Sequence, residues 1–137
     1  MKNKKIIIYT DGAARGNPGP AGAGAFLCDE NGKVLAEVAD YLGETTNNVA
    51  EYKALLAGLR KALDLGAVEA SVFADSELMI KQLKGEYRVK NDGLKPLYLQ
   101  ALTLLSKFEK FSLTHVRREK NKEADRLSNE AIDNYTS

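Results

Sequence analysis

Lys5-Ile6-Ile7-Ile8-Tyr9-Thr10 runs directly into Asp11-Gly12. The run is β-branched and aromatic, apolar at almost every position, and too short for a helix. It therefore predicts a central strand buried on both faces. Downstream, Gly16-Asn17-Pro18-Gly19-Pro20 is a turn signal. Two further strand-like runs, Ala23 to Cys28 and Lys33 to Tyr41, flank Asn31-Gly32, a short hairpin signal. The chain is thus expected to open with a three-stranded antiparallel meander.

Beyond the meander the periodicity changes. Thr45-Thr46-Asn47-Asn48 offers N-cap candidates, and Val49, Tyr52, Leu56, Leu59 and Leu63 recur at helical spacing until Gly66 ends the run. Ser71 to Ala74 predicts a short buried strand ending at Asp75-Ser76, and Leu78, Ile80 and Leu83 a short helix stopping near Gly85. Leu94 to Phe108 predicts a further helix, with Pro96 tolerable in its first turn. Phe111 to Val116 reads as a strand. Asn121 can cap a last helix reaching about Asn134, with Ala124, Leu127 and Ala131 inward. The order β-β-β-α-β-α-α-β-α predicts an α/β domain. Its five-stranded mixed sheet is flanked by helices, with two strands added in parallel by right-handed crossovers.

The 137 residues suit one domain, and an apolar content of 44% allows a real core. No apolar run approaches the roughly 20 residues needed to span a bilayer. The basic start, Met1 to Lys5, leads into an apolar stretch too short for a signal peptide, so a cytoplasmic location is expected. Cys28 is the only cysteine, which excludes an internal disulfide and a cysteine zinc site; it reads as a small buried hydrophobe on a strand. The net charge of +1 says little about partners. Basic residues do outnumber acidic ones between Lys81 and Arg126, a bias compatible with a solvated face or with phosphate binding.

The chemistry lies in the acids. Asp11 and Asp75 each end a short apolar strand, the edge of an α/β sheet where ligands bind. Adjacent strands are about 4.8 Å apart, so two carboxylates there repel unless a cation lies between them. Glu51 and Asp125 each fall in the expected first turn of a helix, where the dipole alone could explain them. Together, four acids without a matching cluster of lysine or arginine argue for hard cations such as Mg²⁺ or Mn²⁺. Two such ions about 3.5–4 Å apart can clamp the attacking and leaving oxygens of a phosphodiester. No Ser-His-Asp arrangement competes, so hydrolysis by an activated water is the reaction expected.

Four segments carry a resemblance: Tyr9-Thr-Asp-Gly-Ala-Ala-Arg-Gly-Asn-Pro-Gly-Pro20, Thr45-Thr-Asn-Asn-Val-Ala-Glu-Tyr52, Ala74-Asp-Ser76 and Val116-Arg-Arg-Glu-Lys-Asn-Lys-Glu-Ala-Asp125. The first two are highly specific in combination. Across essentially the whole chain the sequence resembles ribonuclease H of type 1. The resemblance implies cleavage of the RNA strand of an RNA–DNA hybrid, leaving 3′-hydroxyl and 5′-phosphate ends. It implies that Asp11 bridges two Mg²⁺ ions, that Asp125 helps hold the one activating water, and that Glu51 and Asp75 hold the other; Mn²⁺ could substitute. It places Asn17, Asn47 and Asn48 against the minor groove of the hybrid and Thr46 near a DNA phosphate. Only RNA offers a 2′-hydroxyl there, and asparagine amides both donate and accept.

Two departures from the family pattern stand out. Many relatives carry an extra basic helix between the second and third helices. Here Ile80 to Lys90 passes quickly to Leu94, so a single domain over residues 1–137 without that protrusion is expected. Relatives often also have a mobile histidine in the loop before the last aspartate. The only histidine, His115, sits within the apolar run from Phe111 to Val116, and Arg118 is the expected cation near the scissile phosphate. Two other readings compete. A catalytically silent hybrid-binding module would be expected to lack one of the four acids. A nuclease of the same fold acting on double-stranded RNA or DNA is disfavoured by the asparagine-rich loops and short length. No obligate protein partner is expected, and a monomer is the default.

Overall fold

The structure is a computed structural model, and it describes residues 4–136. The basic opening, Met1 to Asn3, lies outside the described residues. Five strands form one sheet: β1 (Lys5–Ala14), β2 (Gly19–Cys28), β3 (Val34–Thr45), β4 (Glu69–Ala74) and β5 (Lys110–His115). Their order is β3-β2-β1-β4-β5. The first three are antiparallel neighbours, while β4 joins β1 and β5 joins β4 in parallel. The expected mixed five-stranded sheet is therefore present.

β1 differs from its expected form in two ways. It does not end at Asp11: its parallel pairing with β4 stops at Thr10↔Ala74, but its antiparallel pairing with β2 continues to Ala14↔Ala21. Nor is it buried evenly on both faces. Ile6, Ile8 and Thr10 are fully buried, whereas Ile7 and Tyr9 are half-buried. Ile6 and Ile8 lie in the main core with Val72, Leu55, Leu59 and Leu105. On the other face Tyr9 stacks on Phe73, ring centroids 5.2 Å apart.

The helices are α1 (Asn47–Asp64), α2 (Glu77–Leu83), α3 (Lys95–Leu105) and α4 (Lys122–Thr136). Helix α1 packs on β1 and β2 and carries α3 on its outer side; α4 packs against β1, β2 and β3. The Thr46 hydroxyl caps α1 by accepting from the Val49 N–H at 3.2 Å. Ser76 caps α2 in the same way from Met79. Helix α3 is shorter than expected, because the chain turns at Ser106 so that Phe108 can pack into the core. Among the described residues, those between α2 and α3 contain no helix. The β2–β3 connection, residues 29–33, falls at the hairpin expected around Asn31-Gly32. The Asp29 carboxylate accepts from the N–H groups of Asn31 and Lys33, each at 2.9 Å, and this holds the loop together. No helix among the described residues is long and apolar enough to cross a membrane.

Candidate active site

Where β1 and β4 cease to pair, their next residues are Asp11 and Asp75. This register alone makes the two carboxylates neighbours. Glu51 joins them from α1. It is the fifth residue of that helix rather than part of the first turn, so the dipole no longer accounts for it. Close packing brings it in: a Cβ at Gly12 would lie 2.1 Å from the Ala50 backbone carbon, so only glycine lets β1 approach α1 this tightly. The Gly12 N–H then donates to Glu51 Oε1 at 2.9 Å. One carboxylate oxygen from each of Asp11, Glu51 and Asp75 lies within 4.8 Å of the others.

Asp125 reaches the same place from α4 but stands apart from that trio. Helix α4 comes close to the sheet because β2 is bare at Gly24, where a Cβ would lie 2.3 Å from the Ala124 carbonyl oxygen. Asp125 Oδ1 takes weak contacts from Arg118 Nη2 at 3.5 Å and Asn129 Nδ2 at 3.3 Å. Ser128, fully buried, lies 2.9 Å from both Asp11 Oδ2 and the Asp125 carbonyl oxygen. Its single hydrogen can serve only one of them at a time. Asn121 was expected to cap α4 with its side chain. Its amide instead donates to the Thr10 carbonyl at 2.9 Å, while its backbone carbonyl accepts from Asp125 N–H at 3.0 Å. Asn121 thereby fastens the start of α4 to the strand that carries Asp11.

The electrostatics follow from burial and crowding. Asp11 is pushed up to about 7, first by burial and then by Asp75 and Asp125, against the opposing hydrogen bond from Ser128. Glu51 is raised well above the usual carboxylate range by burial, Asp11 and Asp75, with the Gly12 N–H opposing. Glu51 Oε2 is buried and has no hydrogen-bond partner among the described residues. No lysine or arginine there pairs with Asp11, Glu51 or Asp75. An orphaned carboxylate oxygen facing two more acids fits a hard divalent cation better than it fits any protein partner.

A cleft of about 690 Å³ opens over the acids, bordered by Asn47, Asn48, His115 and Arg118. Asn48 is exposed there. Asn17 stands at the turn after β1, and its Oδ1 accepts from the Asn47 N–H at 3.1 Å; Asn47 Oδ1 in turn accepts from Ala14 N–H at 2.9 Å. Thr46 lies one residue before α1 and uses its hydroxyl as the cap. Arg118 is three-quarters exposed, on a single 3-10 turn between β5 and α4. His115 ends β5, level with Ala74 and so beside Asp75. Ser128 and Asn129 are not among the site residues expected from sequence, although both sit one helical turn beyond Asp125, a spacing that places them on its face.

The fold and the acid cluster together define a domain of the ribonuclease H-like class with a site suited to divalent metal. A family profile described as reverse transcriptase-like matches residues 9–131. Ribonuclease HI of Halobacterium salinarum is 43% identical over 129 residues, covering 94% of this chain and 65% of that protein. The crystal structure of RNase H1 from the same archaeon superposes with a TM-score of 0.92, covering 95% of this chain and 98% of that one. The N-terminal RNase H domain of Rv2228c from Mycobacterium tuberculosis is 48% identical with a TM-score of 0.92, covering 94% and 99%. LC11-RNase H1 in complex with an RNA/DNA hybrid is 46% identical with a TM-score of 0.91, covering 96% and 99%. The chain belongs to the ribonuclease H type 1 family. It spans 36% of the length of the mycobacterial bifunctional protein Rv2228c.

Proposed function

We propose that this protein hydrolyses the RNA strand of RNA–DNA hybrids, leaving 3′-hydroxyl and 5′-phosphate ends. The observation that carries the reading is the trio Asp11, Glu51 and Asp75, with one buried carboxylate oxygen left unpartnered. The likeness to an RNase H1 crystallised with an RNA/DNA hybrid supports the substrate. Asp11, Glu51, Asp75 and Asp125 would hold two divalent ions, Mg²⁺ or Mn²⁺. When bound, such ions activate water and neutralise charge developing on the phosphate. The protein's own groups do the rest. Ser128 and Gly12 fix the Asp11 and Glu51 carboxylates by hydrogen bonds. Arg118, beside Asp125, offers a positive charge to the scissile phosphate.

Asn17, Asn47 and Asn48 would receive the minor groove. The Oδ1 atoms of Asn17 and Asn47 are engaged with backbone, which leaves their NH₂ groups to donate to RNA 2′-hydroxyls. Thr46, at the head of α1, would seat a DNA phosphate. We place the protein in the cytoplasm as a monomer, with residues 1–137 forming one ribonuclease H domain without the extra basic helix; the single unpaired cysteine suits a reducing compartment. Without that helix the grip depends on dispersed lysines and arginines, so hybrid affinity is expected to fall steeply with salt.

The test is a substrate panel. Labelled RNA–DNA hybrid, double-stranded RNA and double-stranded DNA are incubated with Mg²⁺, Mn²⁺ or EDTA. The expected result is cleavage of the hybrid's RNA strand, abolished by EDTA. Cleavage in EDTA would overturn the mechanism, and equal cleavage of all three duplexes would overturn the substrate.

A further inference from the structure

Helix α4 carries Asp125, Asn129 and Asp133 at successive four-residue steps, so the three line one face. Asn129 touches partners on two sides. Its Nδ2 donates to the Asp125 carbonyl at 2.9 Å and faces Asp125 Oδ1 at 3.3 Å. Its Oδ1 accepts from Arg15 Nη2 at 3.2 Å. Only this orientation of the amide satisfies both neighbours, because a guanidinium offers hydrogens and a carboxylate offers none. Arg15 is fixed in turn by Asp133, with Nη1 2.6 Å from Oδ1.

Arg15 also stands at the base of the turn that bears Asn17, where its N–H donates to the Pro20 carbonyl at 2.8 Å. That turn is therefore tied at two points. Asn17 fastens it to the head of α1 through Asn47, and Arg15 fastens it to α4 through Asn129 and Asp133. Among the described residues the carboxylate of Asp125 has no backbone N–H bond comparable to the one on Glu51; its neighbours are side chains.

We infer that Asn129 is a positioning residue that aims Asp125 at its metal ion, and that Arg15 makes this aim depend on the substrate-binding turn between β1 and β2. The inference rests on the two-metal reading proposed above. Outer-shell partners of metal-binding carboxylates hold the ligand's orientation, and removing one costs about 10–100-fold in metal affinity or activity. Arg15 works one contact further out, and its ion pair with Asp133 is solvent-exposed. Its removal has a smaller effect, about threefold.

The variants are Asn129→Leu, Asn129→Gln, Arg15→Ala and the double variant Arg15→Ala/Asn129→Leu, with Asn129→Ala as a second truncation should leucine disturb folding. Mn²⁺ is titrated calorimetrically into each protein without substrate. In parallel, cleavage of RNA–DNA hybrid is followed against Mg²⁺ concentration, and hybrid affinity is measured in EDTA. Asn129→Leu is expected to weaken Mn²⁺ binding and to raise the Mg²⁺ needed for half-maximal rate, each about tenfold, with hybrid affinity in EDTA unchanged. Asn129→Gln, which keeps a donor within reach of the carboxylate, restores most of the loss. The double variant matches Asn129→Leu alone, because Arg15 acts through Asn129.

Parent-like Mn²⁺ binding in Asn129→Leu overturns the inference, as does a loss of hybrid affinity in EDTA, which would make Asn129 a substrate contact. Additive losses in the double variant overturn the role given to Arg15. Should the parent fail to cleave hybrid, the proposed function falls, while the Mn²⁺ titration still judges Asn129 separately.

Discussion

Glu51 and Asp125 are the two extremes of one site. Glu51 is buried, enters from the second turn of a packed helix, and has one oxygen fixed by a backbone N–H. Asp125 is about one-third exposed, at 32%, sits in the first turn of α4, and is held by side chains, one of them an arginine that is itself mostly in solvent. The first geometry is set by the fold itself, and moving it means moving α1 against β1. The second can be adjusted by rotating side chains. The acid cluster thus has a fixed side, which would define where cations sit, and an adjustable side, which lies next to the turn between β1 and β2.

The comparison can be broken most severely at its shared member. Asp11→Asn is expected to lower hybrid cleavage at least about a thousandfold, since this carboxylate faces both sides and several kcal/mol of charge stabilisation depend on it. Steady-state rates in Mg²⁺ decide this, and a loss below tenfold would refute its central place. Next comes the packing that fixes Glu51. Gly12→Ala is expected to destabilise the fold by about 1–3 kcal/mol in urea titrations, because the added carbon must displace the backbone of α1. An unchanged midpoint would show that the fixed side is not set by this contact.

A third test separates the two sides by pH. In EDTA, folded Asp11 holds its proton up to about 7, whereas unfolded Asp11 loses it near 3.8. Between those values the folded state binds more protons, so stability falls as pH rises and the favourable contribution is gone above about 7. Glu51, raised in the same direction, adds to the slope. The melting temperature of the metal-free parent should therefore drop, on the order of 5 °C, between pH 4 and pH 8. Asp11→Asn should show a flatter profile and melt higher than the parent at pH 8. A parent profile that climbs over this range would contradict the crowding of the acids.

The smallest effect belongs to the adjustable side. Arg118→Ala should slow turnover about fivefold, the scale of one exposed charge worth about 1 kcal/mol, and His115→Ala should change it by less than about twofold. Full turnover in the first together with loss in the second would transfer the role to His115.

Much of this was legible in the sequence because it is local. Apolar runs, turn residues and helical spacing located every strand and helix, and the strand-end positions of Asp11 and Asp75 marked the functional edge. What escaped depends on distant partners. Asp11-Gly12 looks like the close of a strand, yet β2 keeps pairing with β1 for three residues past Asp11. Asn121 looks like a cap, yet its amide is committed to Thr10, 111 residues earlier in the chain. Glu51 looks like a first-turn acid, and only the cap at Thr46 reveals that the helix began earlier. Asn129 lies one turn beyond Asp125, a spacing visible in the sequence, but its other partner, Arg15, is 114 residues away.

The fork at Thr10, where β1 leaves its parallel neighbour but keeps its antiparallel one, also governs how the site bears mechanical load. A pull applied at Asp11 along β1 would pass into a ladder whose paired residues run from Ile7↔Cys28 to Ala14↔Ala21. Pulled along its length, such a ladder shears with its rungs loaded together instead of unzipping one at a time. Asp11 is therefore anchored along the direction in which those rungs resist together.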